Sequence, residues 1–152
     1  MSIHKTSKEE IQALDLIDDK FMIHCVINVE GDAPFDETKF LRDAHTHGLA
    51  DLIGTELQIT LAADPKLVSY LINTIAALAY KNEWDLSDGD ILKEVIQNNF
   101  DLKLFETTDC EGKPIMRILL PDPENKFGKE AEAPYCYQLE DPYQEKDGRD
   151  LI

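Results

Sequence analysis

The pattern of hydrophobic and polar residues predicts three β-strands in the first half of the chain. Along residues 21–29 every odd-numbered position is apolar, which is typical of a core strand, and the turn sequence at 30–34 ends it. Residues 41–47 predict a second strand that closes at Gly48. Residues 57–61 alternate again and predict a third strand.

Apolar residues then recur at helical spacing. Asp64 is a natural N-cap and Pro65 suits the first helical position, where a missing N–H costs nothing, so we expect a helix from here to about residue 80. Its apolar stripe is broad enough to cover one face of a sheet. The stripe consists of Leu67, Val68, Leu71, Ile72, Ile75, Ala76 and Ala79.

Sparser patterns predict two shorter helices. Ser7 can cap one over residues 8–17, and Ser87 precedes the other. In the second of these helices, the residues expected to face inward are Ile91, Leu92, Val95 and Ile96.

Three aspartates around Gly89 suggest a calcium loop at first sight. An EF-hand loop needs a glutamate at its twelfth position, and here that position is Ile96. We therefore interpret Asp85, Asp88 and Asp90 as the cap and first-turn charges of the second short helix, where the helix dipole favours acidic residues.

The later part of the chain completes the predicted architecture. Residues 102–108 and 114–120 predict a β-hairpin with Gly112 in its turn. Because the strands come in groups rather than alternating with helices, the predicted fold class is α+β, with a mainly antiparallel sheet covered by one long amphipathic helix and shorter helices. We expect a single domain over residues 1–152, in which residues 124–152 form a polar, partly irregular C-terminal tail.

The amino-acid composition indicates which classes of partner the protein can bind. A hydrophobic content of 43% is ample for a core, and the net charge of −16 is spread along the chain. A diffuse negative field repels phosphate backbones and anionic membranes, so we expect neither direct nucleic-acid binding nor a membrane partner. The charge either keeps the protein soluble or attracts a basic protein partner. The first residues lack the apolar region of a signal peptide, which predicts a cytoplasmic protein.

The cysteines agree with a reducing compartment. Cys25, Cys110 and Cys136 are odd in number and have no C-x-x-C spacing, so we expect free thiols rather than disulfides. Cys110 lies between two carboxylates, which disfavour a thiolate. A hydrolase with a cysteine nucleophile is therefore disfavoured.

The most distinctive residues are two histidines one position apart, in a chain that has four. On a strand, Asp43, His45 and His47 share one face. The two imidazoles could bind a metal, with Asp43 or Asp51 adding a carboxylate and His24 reaching across from the neighbouring strand. Such a set suits a divalent transition metal such as zinc, iron or manganese. In the alternative, structural interpretation, one histidine is hydrogen-bonded in the core and the other is solvated.

Two enzyme classes that use paired histidines do not fit this chain. The amidohydrolase barrel needs about 250 residues, whereas the chain has 152. The metallo-β-lactamase pattern H-x-H-x-D-H has its aspartate replaced by Leu49.

Several short motifs resemble those of one family. They are Thr46-x-Gly48-Leu49, Leu57-Gln58-Ile59, Leu71-Ile72-Asn73, and Arg117-Ile118-Leu119-Leu120-Pro121-Asp122-Pro123 followed by Lys126-Phe127. Over roughly residues 20–140 the chain resembles the bacterial domain of unknown function (DUF) family 4262. The resemblance implies a compact bacterial domain that usually stands alone, and it implies no catalytic residues. Many members have tyrosine where this chain has His45, so the histidine pair is not part of what the resemblance implies.

Two functions of different class remain. The first is a small acidic cytosolic bacterial domain that acts as a non-catalytic binding or protein-interaction module, because no complete catalytic set is present. The second is a metal-dependent enzyme that uses a His45/His47 site. Apart from a divalent transition metal at that site, the sequence predicts no cofactor.

Overall fold

The computed structural model describes residues 3–5, 22–27, 41–61, 63–93, 95, 100–109 and 111–140. The strands of these segments are β1 (Ile3–Lys5), β2 (Met22–Ile27), β3 (Leu41–His47), β4 (Leu57–Leu61), β5 (Ile91–Lys93), β6 (Leu102–Thr108) and β7 (Pro114–Leu119). The α-helices of these segments are α1 (Ala50–Ile53) and α2 (Pro65–Asn82), and two described 3₁₀ turns, η1 (Gly128–Glu130) and η2 (Tyr135–Leu139), follow β7.

The seven described strands form one sheet in the order β1-β5-β6-β7-β4-β3-β2. Four of the neighbouring pairs are antiparallel, and the pairs β1–β5 and β4–β7 are parallel. A parallel pair requires a crossover connection, and the chain between β4 and β7 contains α2, β5 and β6. The fold is therefore α+β with a mainly antiparallel sheet, as the sequence predicts.

The strands predicted over 21–29, 41–47, 57–61, 102–108 and 114–120 are present. β3 and β4 have the predicted bounds, and β2 lies within the predicted 21–29. β6 and β7 form the predicted hairpin, with Gly112 at a φ of 80° in its turn. β4 differs in one respect, because all five of its residues are buried, including the polar Gln58 and Thr60. Thr60 donates a hydrogen bond to the carbonyl oxygen of Gln138, so the C-terminal segment covers the face on which Thr60 lies.

Helix α2 begins as predicted but is buried differently. The side chain of Asp64 accepts a hydrogen bond from the backbone N–H of Lys66 at 2.8 Å, and Pro65 is the first helical residue. The prediction for Leu67 is wrong, since its side chain is 41% exposed, whereas Leu71 is fully buried. Leu67 lies about 100° around the helix from Val68, next to the exposed Tyr70, and so falls outside the buried face. Further along, residues 74–79 are all buried, so this part of α2 is enclosed on every side, whereas the last three residues of the helix are exposed.

The predicted short helix after Ser87 is wrong. Ile91–Lys93 is strand β5, which pairs with β6 and β1. Two of the aspartates accept backbone hydrogen bonds here without capping a helix. Asp90 accepts from the N–H of Ser87 within a turn, and Asp88 accepts from the N–H of Glu106 on β6. The three residues of β5 are too few for their spacing to distinguish a strand from a helix. They form a strand because the edge of β6 supplies their backbone hydrogen-bond partners.

Burial of the residues in that segment follows the prediction only in part. Leu92 and Val95 are buried, as expected, and Ile91 is half-buried. Ile96 and the helix predicted over 8–17 lie outside the described residues.

The described part of the C-terminal tail, residues 124–140, packs on the sheet. Gln138 is buried, and its side chain pairs with the backbone of Leu120: Oε1 accepts from the N–H at 2.8 Å, and Nε2 donates to the carbonyl at 2.7 Å. Tyr135 packs against the core. None of the described helices has the length and apolar character needed to cross a membrane.

Candidate functional site

Strand β3 places Asp43, His45 and His47 on one face, as the period of two predicts. A carboxylate oxygen of Asp43, Oδ1, lies 2.9 Å from Nδ1 of His45. The Nε2 atoms of His45 and His47 are 3.2 Å apart, and the two rings meet edge to face with centroids separated by 4.7 Å. His45 is half-buried and His47 is exposed, so the pair lies where buried strand meets solvent.

The Asp43 carboxylate determines how hydrogen atoms are arranged in this pair. An ionised carboxylate can only accept, so Nδ1 of His45 donates to it. When the His45 ring is neutral, its Nε2 then presents a lone pair. The contact between the two Nε2 atoms requires one hydrogen between them, and with both rings neutral that hydrogen belongs to His47.

The spacing of the two Nε2 atoms also fits a metal ion. Two nitrogen ligands of one tetrahedral Zn²⁺ ion, each about 2.05 Å from the metal, lie about 3.3 Å apart. The observed separation is 3.2 Å. Asp43 contacts the opposite nitrogen of His45, so it lies behind this ligand rather than beside the Nε2 pair. A carboxylate in that place orients a metal-binding histidine and raises its basicity.

The described side chains do not form a larger ligand set. Within the described residues there is no group of three or more His, Cys, Asp or Glu side chains that could hold a metal ion. Asp51 lies exposed in the first turn of α1. His24 is paired with His45 across the β2–β3 ladder, and its side chain lies outside the described part of the structure.

Asp43 is hydrogen-bonded to a buried amide, which is in turn hydrogen-bonded to a buried guanidinium. Asp43 is 5% exposed, and its Oδ1 also accepts a hydrogen bond from Nε2 of Gln58 at 2.8 Å. Oε1 of Gln58 accepts from Nε of Arg117, again at 2.8 Å. Gln58 lies on β4 and Arg117 on β7, so three adjacent strands contribute to one line of hydrogen bonds.

Arg117 connects this line to the C-terminal segment. Its Nη1 donates to the backbone carbonyls of Gln138 at 2.8 Å and Glu140 at 3.0 Å, and its guanidinium lies 5.7 Å from the ring centroid of Phe105. Gln58 and Arg117 are not predicted from the sequence as supports of the histidine site. The available signal was an arginine inside the apolar segment Ile115–Leu120, since a buried charge needs partners.

The loop after His47 is built by Thr46 and Glu56. The hydroxyl of Thr46 donates to the Glu56 carboxylate at 2.6 Å and accepts from the N–H of Leu57 at 3.0 Å. The same carboxylate accepts from the N–H groups of Leu49 and Ala50, where α1 begins. Gly48 has a φ of 94°, which favours glycine. The motif Thr46-x-Gly48-Leu49 therefore holds the turn that follows the histidines.

The structure describes the side chain of one of the three cysteines. Cys136 is a half-buried free thiol in η2. The side chain of Cys25 and all of Cys110 lie outside the described residues, so the reduced state of all three thiols stays a prediction.

Chemically, the arrangement offers a nitrogen lone pair on His45 next to an exposed imidazole on His47, with a carboxylate behind. Such a pair can bind a cation. Comparisons of the chain with protein-family models, with curated proteins and with solved structures found no match.

Proposed function

We propose that this protein is a small binding protein that holds a divalent transition-metal ion between His45 and His47. The observation that carries the proposal is the 3.2 Å separation of their Nε2 atoms, with Asp43 bonded to the far side of His45. The net charge of −16 further favours cations near the surface. Solvent or an external molecule supplies the remaining ligands.

Zinc titration by isothermal calorimetry, on protein purified without an affinity tag, tests this proposal. We expect one Zn²⁺ ion per chain, and at least about tenfold weaker binding in His45→Ala and in His47→Ala. His4→Ala is the matched control, because His4 lies on β1 at the opposite edge of the sheet from β2 and β3. Absence of saturable binding, or equal affinity in the double variant His45→Ala/His47→Ala, would contradict the proposal.

The variant His24→Ala tests whether a third histidine is a ligand of the metal ion. Because His24 is directly opposite His45 in the β2–β3 ladder, a third imidazole would have to come from this position. A loss of affinity similar to that of His47→Ala would assign three histidine ligands, and unchanged affinity would assign two.

A metal-dependent enzyme is the second candidate. Catalytic zinc sites keep a coordination position open for water or substrate, and the exposure of His47 favours such an opening. Hydrolysis of a chromogenic ester by the zinc-loaded protein, lost in His47→Ala, would favour this candidate over simple binding.

The overall charge favours a third role, as an interaction module for a basic protein. Binding to such a partner should weaken with rising salt, because screening reduces attraction between exposed charges. We also propose membership of the bacterial DUF family 4262 and a cytoplasmic location, on the basis of the motifs and the composition described above.

A further inference from the structure

We propose that Gln58 and Arg117 are positioning residues of the His45–His47 site and that they act through Asp43. The metal-affinity part of this inference rests on the proposed function. The part that concerns the hydrogen atoms of His45 does not, because it is defined for the metal-free protein.

The direction of the hydrogen bonds begins at Arg117. A guanidinium has only donors and stays protonated in proteins. Its Nε lies 2.8 Å from the side chain of Gln58, so the atom of Gln58 that faces it must be the acceptor, Oε1. Both side chains are buried, with 2% and 0% exposed, which makes an unpaired orientation costly.

The orientation of the Gln58 amide then holds the Asp43 carboxylate in its position beside His45. With Oε1 turned to Arg117, the NH₂ group faces Asp43, and an NH₂ group can only donate. Oδ1 of Asp43 therefore accepts at 2.8 Å from Gln58, and the same oxygen faces Nδ1 of His45 at 2.9 Å. An oxygen that accepts from both neighbours places a hydrogen on Nδ1 of His45.

The hydrogen on Nδ1 determines that Nε2 is the atom of His45 that can bind a metal. A neutral histidine with its hydrogen on Nδ1 has its lone pair on Nε2, the atom that faces His47. Arg117 and Gln58 thus hold Asp43 where it keeps His45 in the form that can bind a metal, although neither would be a ligand. Partners of this kind typically change metal affinity by about 10–100-fold when they are removed.

The first test measures which ring nitrogen of His45 carries hydrogen, by ¹H–¹⁵N NMR of the metal-free protein at about pH 8. In the wild-type protein we expect the Nδ1–H form. In Gln58→Glu, a carboxylate still accepts from Arg117 but cannot donate to Asp43. Two carboxylates then face each other, Asp43 leaves its position, and a substantial fraction of His45 takes the Nε2–H form.

Gln138→Glu is the matched control. Gln138 is also a buried glutamine close to Arg117, but its side chain pairs with the backbone of Leu120 and not with Asp43. This variant should lose stability and keep His45 in the Nδ1–H form. Should Gln58→Glu fail to fold, Gln58→Met removes the same donor without adding a charge, and a mixture of the two His45 forms is expected. A wild-type His45 in the Nε2–H form, or an unchanged Nδ1–H form in the folded Gln58 variant, would overturn the inference.

The second test measures Zn²⁺ affinity in the same variants. We expect at least about tenfold weaker binding in Gln58→Glu and less than about twofold change in Gln138→Glu. If Zn²⁺ does not bind the wild-type protein but the His45 form still depends on Gln58, the proposed function fails and the positioning role stands. If Zn²⁺ binds the wild type and Gln58→Glu equally well, the positioning role fails and the proposed function stands.

Discussion

Buried polar side chains in the described part of the chain have hydrogen-bond partners, with one exception. Thr60, Gln58 and Gln138 all have partners on other elements. The exception is Thr74 in α2, which is fully buried and whose Oγ1 has no partner. Because an unsatisfied buried hydroxyl costs free energy, this residue is a site where the native sequence is not optimal for stability.

Replacing that hydroxyl should not harm the fold. Thr74→Val keeps the shape of the side chain and removes the unpaired polar atom, so the free energy of unfolding should be unchanged or higher by up to about 1 kcal/mol. Thr60→Val is the matched control, because it removes a hydroxyl that donates to Gln138, and it should lose about 1–3 kcal/mol. Urea denaturation measures both. A loss of more than 1 kcal/mol in Thr74→Val would show that its hydroxyl is satisfied.

Among the secondary-structure elements, those with a strong local pattern could be predicted from the sequence. Alternation predicts the bounds of β4, and the Asp64-Pro65 start predicts the beginning of α2. β5 could not be predicted, because its three residues are strand only through backbone partners on β1 and β6. The site is predictable only in part for the same reason. His45 and His47 lie on one strand, so the local sequence predicts that they are close. Arg117 and Gln58 are 59 residues apart and meet only through the β4–β7 register.

Substitutions of two leucines in α2 test which face of the helix is buried. Leu71 is fully buried, so Leu71→Ala should lower the free energy of unfolding by about 2–5 kcal/mol through lost burial and a cavity. Leu67 is 41% exposed, so Leu67→Ala should cost less than about 0.5 kcal/mol. Chemical denaturation of the two variants gives both values. Equal losses would mean that the apolar stripe includes Leu67 after all.

At the scale of the whole molecule, Asp122 helps to join the sheet to the C-terminal segment. Its carboxylate accepts hydrogen bonds from the backbone N–H groups of Glu124, Lys126 and Glu132. Burial alone would raise the pKa of this carboxyl. The three N–H donors and the charge of Lys126 outweigh burial and lower the pKa below its ordinary value of 3.8.

This lowered pKa predicts how stability depends on pH. A group whose pKa is lower in the folded state stabilises the fold above its unfolded pKa, and the contribution is lost as pH falls through the folded value. Asp122→Asn should therefore be less stable than the wild type at about pH 6, and the difference should shrink below about pH 4. Urea midpoints of both proteins at the two pH values measure this. A difference that stays constant would show that the carboxylate charge has no part in joining the segments.

The parallel pairing of β4 with β7 also has a consequence for the nascent chain during translation. β4 lies between β3 and β7, and β7 begins at Pro114, more than fifty residues after β4 ends. Until those residues leave the ribosome, the nascent chain carries an open strand edge with apolar side chains next to it. Such edges are where unfinished chains associate with one another or are bound by chaperones.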